Sequence, residues 1–160
     1  APYFLQAAVG VAAGYAADAA IRSGSGRRAV RVAAQTAGML APAACLLLAV
    51  RADEPDTAVM LVTLGSAANA LTLAGVSANA LDIAPAAAGQ LFGAGNTAAT
   101  LAGLVSVPLT GAVLGAADGS AEGWARAFGL CALHYCAGAA AFAAYAGGTR
   151  LEEDVDFAAG

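Results

Sequence analysis

Thr57-Ala-Val-Met-Leu-Val-Thr-Leu-Gly65-Ser-Ala-Ala-Asn69-Ala-Leu-Thr-Leu-Ala-Gly75-Val-Ser-Ala-Asn79-Ala-Leu81 runs without a charge into Asp82-Ile-Ala-Pro85. A helix of about 20 residues crosses the roughly 30 Å hydrocarbon core of a bilayer, and this run is long enough. Asp82 is the only acid between Thr57 and Ala117. A carboxylate at the edge of so apolar a run needs a partner or water, because an isolated charge in hydrocarbon is strongly unfavourable.

The rest of the chain repeats the pattern. Of 160 residues, 60% are hydrophobic and 11% charged, with a mean hydropathy of +0.72. That is too little charge to cover a water-soluble globule. The charges cluster at Arg22 to Arg31, Arg51 to Asp56, Asp118 to Arg126 and Arg150 to Asp156. Between them fall five predicted spans, 2–21, 29–50, 57–81, 87–115 and 124–147, with an acidic tail over 148–160. No period-two alternation supports a membrane β-barrel, so the fold class expected is all-α membrane protein with five transmembrane helices. The competing soluble reading is an alanine-rich helical bundle. No basic n-region marks a signal peptide. Beginning at Ala1-Pro2 without an initiator Met, the chain reads as a piece of something longer.

Five arginines (Arg22, Arg27, Arg28, Arg31, Arg150) fall on one side of this topology and two (Arg51, Arg126) on the other. The positive-inside rule puts the first side, with the C-terminal tail, in the cytoplasm. The net charge of −4 makes no basic face, and nucleic acid is not expected as a partner. Cys45, Cys131 and Cys136 lie inside apolar runs without metal-ligand spacing to His134, so no metal site is expected. Neither a Ser-His-Asp arrangement nor a phosphate-cradling loop followed by Lys is present, and the chain is not expected to be an enzyme.

Small residues and prolines suggest how the spans pack. Gly10-x-x-x-Gly14, Gly89-x-x-x-Gly93 and Gly111-x-x-x-Gly115 permit close helix approach. Pro42 and Pro108 each remove a backbone donor and favour a kink. Gln35, Thr36, Asn69, Ser77, Asn79, Asn96, Thr97, Thr100 and His134 are the polar residues to account for inside the spans. Interhelical hydrogen bonding is the default use of each, worth on the order of 0.6 kcal/mol. Asn79 and Asn96 lie one to two turns from the same loop, in the cytoplasmic half, a placement more suggestive of substrate contact.

Gly14-Tyr-Ala-Ala-Asp18-Ala-Ala-Ile-Arg22, followed by Arg27, Arg28 and Arg31, resembles the G-x-x-x-D-plus-basic loop signature of the major facilitator superfamily. Further blocks resemble its anion:cation symporter family, which includes sodium/phosphate cotransporter-like proteins, sialin, vesicular glutamate transporters and plant plastid phosphate transporters. These blocks are Val30-Arg31 with Gln35-Thr36-Ala-Gly38 and Pro42-Ala43; Asn79-Ala-Leu-Asp82-Ile-Ala-Pro85; Gly93-Ala-Gly-Asn96-Thr97-Ala-Ala-Thr100-Leu-Ala-Gly103; and Trp124-x-x-x-Phe128. The sequence departs from the family pattern at Val32 in place of a Lys, at Ser77 in place of an Asn, and in the lack of a C-terminal Trp.

The resemblance implies helices eight to twelve of a twelve-helix fold, with the N-terminal half of the same transporter as a partner. It implies secondary active transport of inorganic phosphate or an organic anion by alternating access, with sodium or a proton as coupling ion and no other cofactor. A truncated or non-transporting membrane protein is the alternative. The small anionic substrate would pass Tyr15, Asn69, Ser77, Asn79, Asn96 and Thr97. A cytoplasmic gate would be formed by Asp18, Arg22, Arg31 and Asp82. Choice between phosphate and a carboxylate such as glutamate or sialic acid stays open, with Gln35-Thr36-Ala-Gly38 and Pro42-Ala43 leaning toward the plant phosphate type.

Overall fold

A computed structural model describes residues 2–150, so the acidic stretch Glu152, Glu153, Asp154 and Asp156 lies outside the described residues. The described residues form helices and turns with no strand: α1 (Pro2–Arg22), α2 (Arg27–Ala49), α3 (Pro55–Asn69), a 3-10 turn (Ala70–Leu73), α4 (Val76–Ile83), α5 (Ala88–Gly115) and α6 (Ala121–Tyr145). Five spans are long and apolar enough to cross a membrane: Tyr3–Arg22, Arg27–Ala49, Pro55–Ile83, Ala88–Gly115 and Ala121–Tyr145. The predicted all-α class and the number of spans therefore hold.

Local chemistry sets the ends. Pro55 opens α3, where its missing N–H costs nothing, and Asp56 in the first turn faces the positive end of the helix. Ser120 caps α6 by accepting from the Gly123 amide at 3.3 Å. Arg126 is bound to Glu122 one turn away, at 2.6 Å. Between α1 and α2 the chain reverses at Gly24, whose φ of +101° is open to glycine and costly for other residues.

α2 lies at the centre, packed most extensively against α3 and α6, with the 3-10 turn wedged between it and α1. Apart from Pro42 and glycines, the buried apolar residues are all alanines, and among the described residues no large side chain is fully buried. Helices can then approach closely through small side chains while the large apolar ones point outward. Leu104, Val105 and Val107 of α5 are 68%, 67% and 73% exposed. In water that much outward apolar surface would drive association, whereas hydrocarbon accommodates it.

The structure redistributes the close approaches. A side chain added at Gly10 would meet Leu73 and Ala70, but Gly14, Gly89, Gly93, Gly111 and Gly115 face open space. Apart from Gly10, the expected glycine pairs thus make no tight contact among the described residues. Glycines that do include Gly38 against Thr72 and Leu71, Gly65 against Cys45 and Pro42, Gly75 against Gln35, Gly123 against Ala117 and Gly138 against Met39. Helices α2 and α5 continue through Pro42 and Pro108. The interruption falls instead in the third span, which the sequence reading drew as one helix.

Candidate functional site

The break between α3 and α4 gathers the polar side chains of this bundle. At Ala70–Leu73 the helix tightens, and the Gly75 amide bonds Thr72 O at 3.0 Å. In a continuous α-helix that carbonyl would take the Val76 amide. Val76 N–H and the carbonyl of Ala74 are among the groups this leaves over. A backbone group without a partner costs several kcal/mol in an apolar medium, so both must be satisfied.

Side chains of α2, one turn apart, supply both partners. Gln35 Oε1 accepts from the Val76 amide at 2.9 Å. Arg31 Nη1 donates to Ala74 O at 3.2 Å. Both residues are 6% exposed. Gln35 also donates through Nε2 to Met39 Sδ at 3.2 Å. The backbone approaches closely enough for these bonds because Gly38 and Gly75 carry no side chain: a Cβ on Gly38 would stand 2.8 Å from the Thr72 amide nitrogen.

Arg31 makes a second contact, donating through Nε to Asp82 Oδ2 at 2.7 Å. Arg27 lies 3.9 Å from Asp82 Oδ1, with its side chain half exposed. The first contact is a charge-assisted hydrogen bond in a nearly closed setting; the second is Coulombic and screened. Asp82 thereby obtains the partner its apolar surroundings require.

Three more bonds tie the end of α6 to this cluster. Asn79, 5% exposed, donates to Gly147 O at 2.8 Å. Arg28 donates to Ala146 O at 2.9 Å and to Ala143 O at 2.7 Å. A guanidinium at the carbonyl end of a helix satisfies orphan acceptors and meets the negative end of the dipole. Three arginines in the first turns of α2 would oppose that helix's own dipole, but Asp82 and the α6 carbonyls offset the conflict.

Of the predicted gate residues the structure joins Arg31 and Asp82. Asp18 and Arg22 are exposed and make no ion pair among the described residues. Arg27 and Arg28, which on sequence are candidate gate partners equally explained by topology, also join the cluster. The six predicted substrate-path residues are not brought together by any hydrogen bond between them. Tyr15, Asn96 and Thr97 are exposed, Thr97 bonding Gly93 O of its own helix at 2.9 Å. Asn69 donates to Gly38 O at 3.3 Å and Ser77 is part-buried. Asn79 donates to Gly147 O at 2.8 Å. His134 bonds Leu130 O within α6, at 3.0 Å.

Replacing Asn79 by Ala leaves Gly147 O without its donor, and an unsatisfied buried polar group costs about 1–3 kcal/mol. Thermal unfolding in detergent should show that loss, together with faster proteolysis after Tyr145.

Gln35, whose sequence context suggested only interhelical bonding, is the residue that reasoning from sequence underused. Its signal was a buried-face amide four residues from Arg31 on a helix facing a Gly-containing span. The chain matches no protein-family model and no curated protein.

Proposed function

We propose that this chain is part of the C-terminal half of a secondary transporter that moves inorganic phosphate or an organic anion by alternating access, its arginine-rich end forming the cytoplasmic gate. One observation carries the reading: the interrupted third span is fastened to α2 through Arg31 and Asp82. In secondary transporters, discontinuous membrane helices lie where substrate binds and where elements move. The arginine excess places the clasp on the cytoplasmic side.

The chemistry suits a clasp. An ion pair at the end of two helices holds them while water is excluded and weakens as soon as water enters, since screening grows with solvent. Asn79 and Arg28 extend the hold to α6. The exposed stripe Asn96, Thr97 and Thr100 on α5, whose helix packs appreciably only on α6 and α4, faces outward from these helices and would complete the path with the N-terminal half.

Asp82→Asn tests this in the complete protein reconstituted in proteoliposomes. The substitution keeps shape and exchanges a charged hydrogen bond for a neutral one, a change of about 1.4 kcal/mol, or roughly tenfold in the open-to-closed ratio. Uptake of labelled phosphate or glutamate should fall, and a cysteine placed at Ala78 should be labelled about tenfold faster from the cytoplasmic side. Wild-type uptake with wild-type labelling would refute the gate.

A further inference from the structure

We propose that α4 (Val76–Ile83) is a lever hinged at residues 70–75, and that Gln35 is the positioning residue that latches it. Four observations converge. The third span is divided by a 3-10 turn, so α3 and α4 are not one rigid rod. Among the backbone groups released by the division, Val76 N–H and Ala74 C=O are held by α2, through Gln35 and Arg31. Asp82, near the far end of α4, is held by the same Arg31. Finally, Gly75 lies directly beneath Gln35, where a Cβ would stand 2.5 Å from Oε1 and 2.8 Å from Cβ.

The consequence is coupling. Any outward swing of Asp82 pulls on Arg31, which also anchors Ala74 O at the hinge. Gln35, one turn along α2, fixes the first amide of the lever and so sets the direction in which Asp82 approaches Arg31. With Gln35 in place the ion pair and the hinge bonds close together; without its acceptor the lever pivots while α2 and α3 stay packed. The lever's role in transport rests on the gate reading above, but its mechanical content does not.

Gln35→Met preserves length and removes the acceptor; Gln35→Glu restores an acceptor oxygen. Spin labels at Val59 on α3 and Leu81 on α4, both exposed, report the angle across the break. A second pair at Leu48 on α2 and Leu133 on α6, also exposed, reports whether the bundle is intact. All are placed in the complete protein in nanodiscs. The expected result is a narrow Val59–Leu81 distance in wild type and in Gln35→Glu, and an added, displaced population in Gln35→Met that grows about tenfold, the weight of one lost neutral hydrogen bond. The control distance stays unchanged.

Gly75→Ala, which pushes Gln35 off the Val76 amide by direct contact, should reproduce the displacement if Gln35→Met disturbs the control pair. A wild-type Val59–Leu81 distance in either variant with an intact control pair overturns the lever. Failure of Gln35→Glu to restore the narrow distance overturns the role of the acceptor. Uptake is measured alongside: displaced distances in a protein that transports no anion leave the lever standing and remove the transport reading.

Discussion

Substituting Arg31 by Met is expected to destabilise the folded bundle by about 3 kcal/mol, the lower end of the 3–5 kcal/mol range for breaking a buried ion pair from one side. Arg31 serves two acceptors, Asp82 Oδ2 and Ala74 O, and its side chain is only 7% exposed. Met fills the volume but donates to neither. Arg27, 3.9 Å from Asp82, moderates the loss by compensating the stranded carboxylate, which is why the lower end applies. Adding Asp82→Leu to Arg31→Met should recover most of the loss, because the unpaired charge is then gone and only the Ala74 carbonyl is left without a donor. Arg27→Met alone, removing a half-exposed and distant charge, should cost under about 1 kcal/mol. Unfolding of the complete protein by SDS titration measures all three against wild type.

The second large effect is steric. Gly38→Ala places a Cβ 2.8 Å from the backbone nitrogen of Thr72 and 2.9 Å from its Cγ2. A backbone atom cannot step aside as the tip of a long side chain can, so α2 must withdraw from the 3-10 turn. Overpacking of this kind costs about 1–3 kcal/mol. Here it also weakens the Asn69 bond to Gly38 O and lengthens both hinge bonds, so the upper end is expected. Gly93→Ala, which meets nothing within 4 Å, should fall within about 0.5 kcal/mol of wild type. Paired unfolding curves of the two alanine variants separate the effect of helix approach from that of glycine itself.

Much of the architecture could be read from charge placement and run length. The predicted spans 57–81 and 87–115 become Pro55–Ile83 and Ala88–Gly115, shifted by a residue or two. Pro55, Asp82 and Pro85 bound the apolar stretches there, and proline and charge act locally. What could not be read is the interruption itself. Ala70-Leu-Thr-Leu-Ala-Gly75 contains no proline and reads as smooth membrane helix. Its bending is fixed by Arg31 and Gln35, more than forty residues upstream in sequence, and such partners are visible only once α2 and the third span are packed.

Pro42 and Pro108 carried the local signal for a kink, yet α2 and α5 continue through them, and the carbonyl that Pro42 frees, Gly38 O, accepts from Asn69. The site was legible in the same uneven way. Arg31 and Asp82 could be named as partners because an isolated acid at a span end has few options other than a nearby arginine. The partner of Asn79 could not be read: a buried amide looks the same in sequence whether it faces a pathway or, as here, donates to the backbone just past α6.

The account stands on the clasp between α2 and α4 being a moving part, and the distance between those helices in the working protein tests it most directly. Spin labels at Ala29 and Leu81, neither in the clasp, are measured in the complete protein with and without a saturating transported anion under a coupling-ion gradient. Two distance populations are predicted, the longer one changing in weight with substrate and dominating in Asp82→Asn. A single distance, unaltered by substrate while uptake proceeds, would contradict the account.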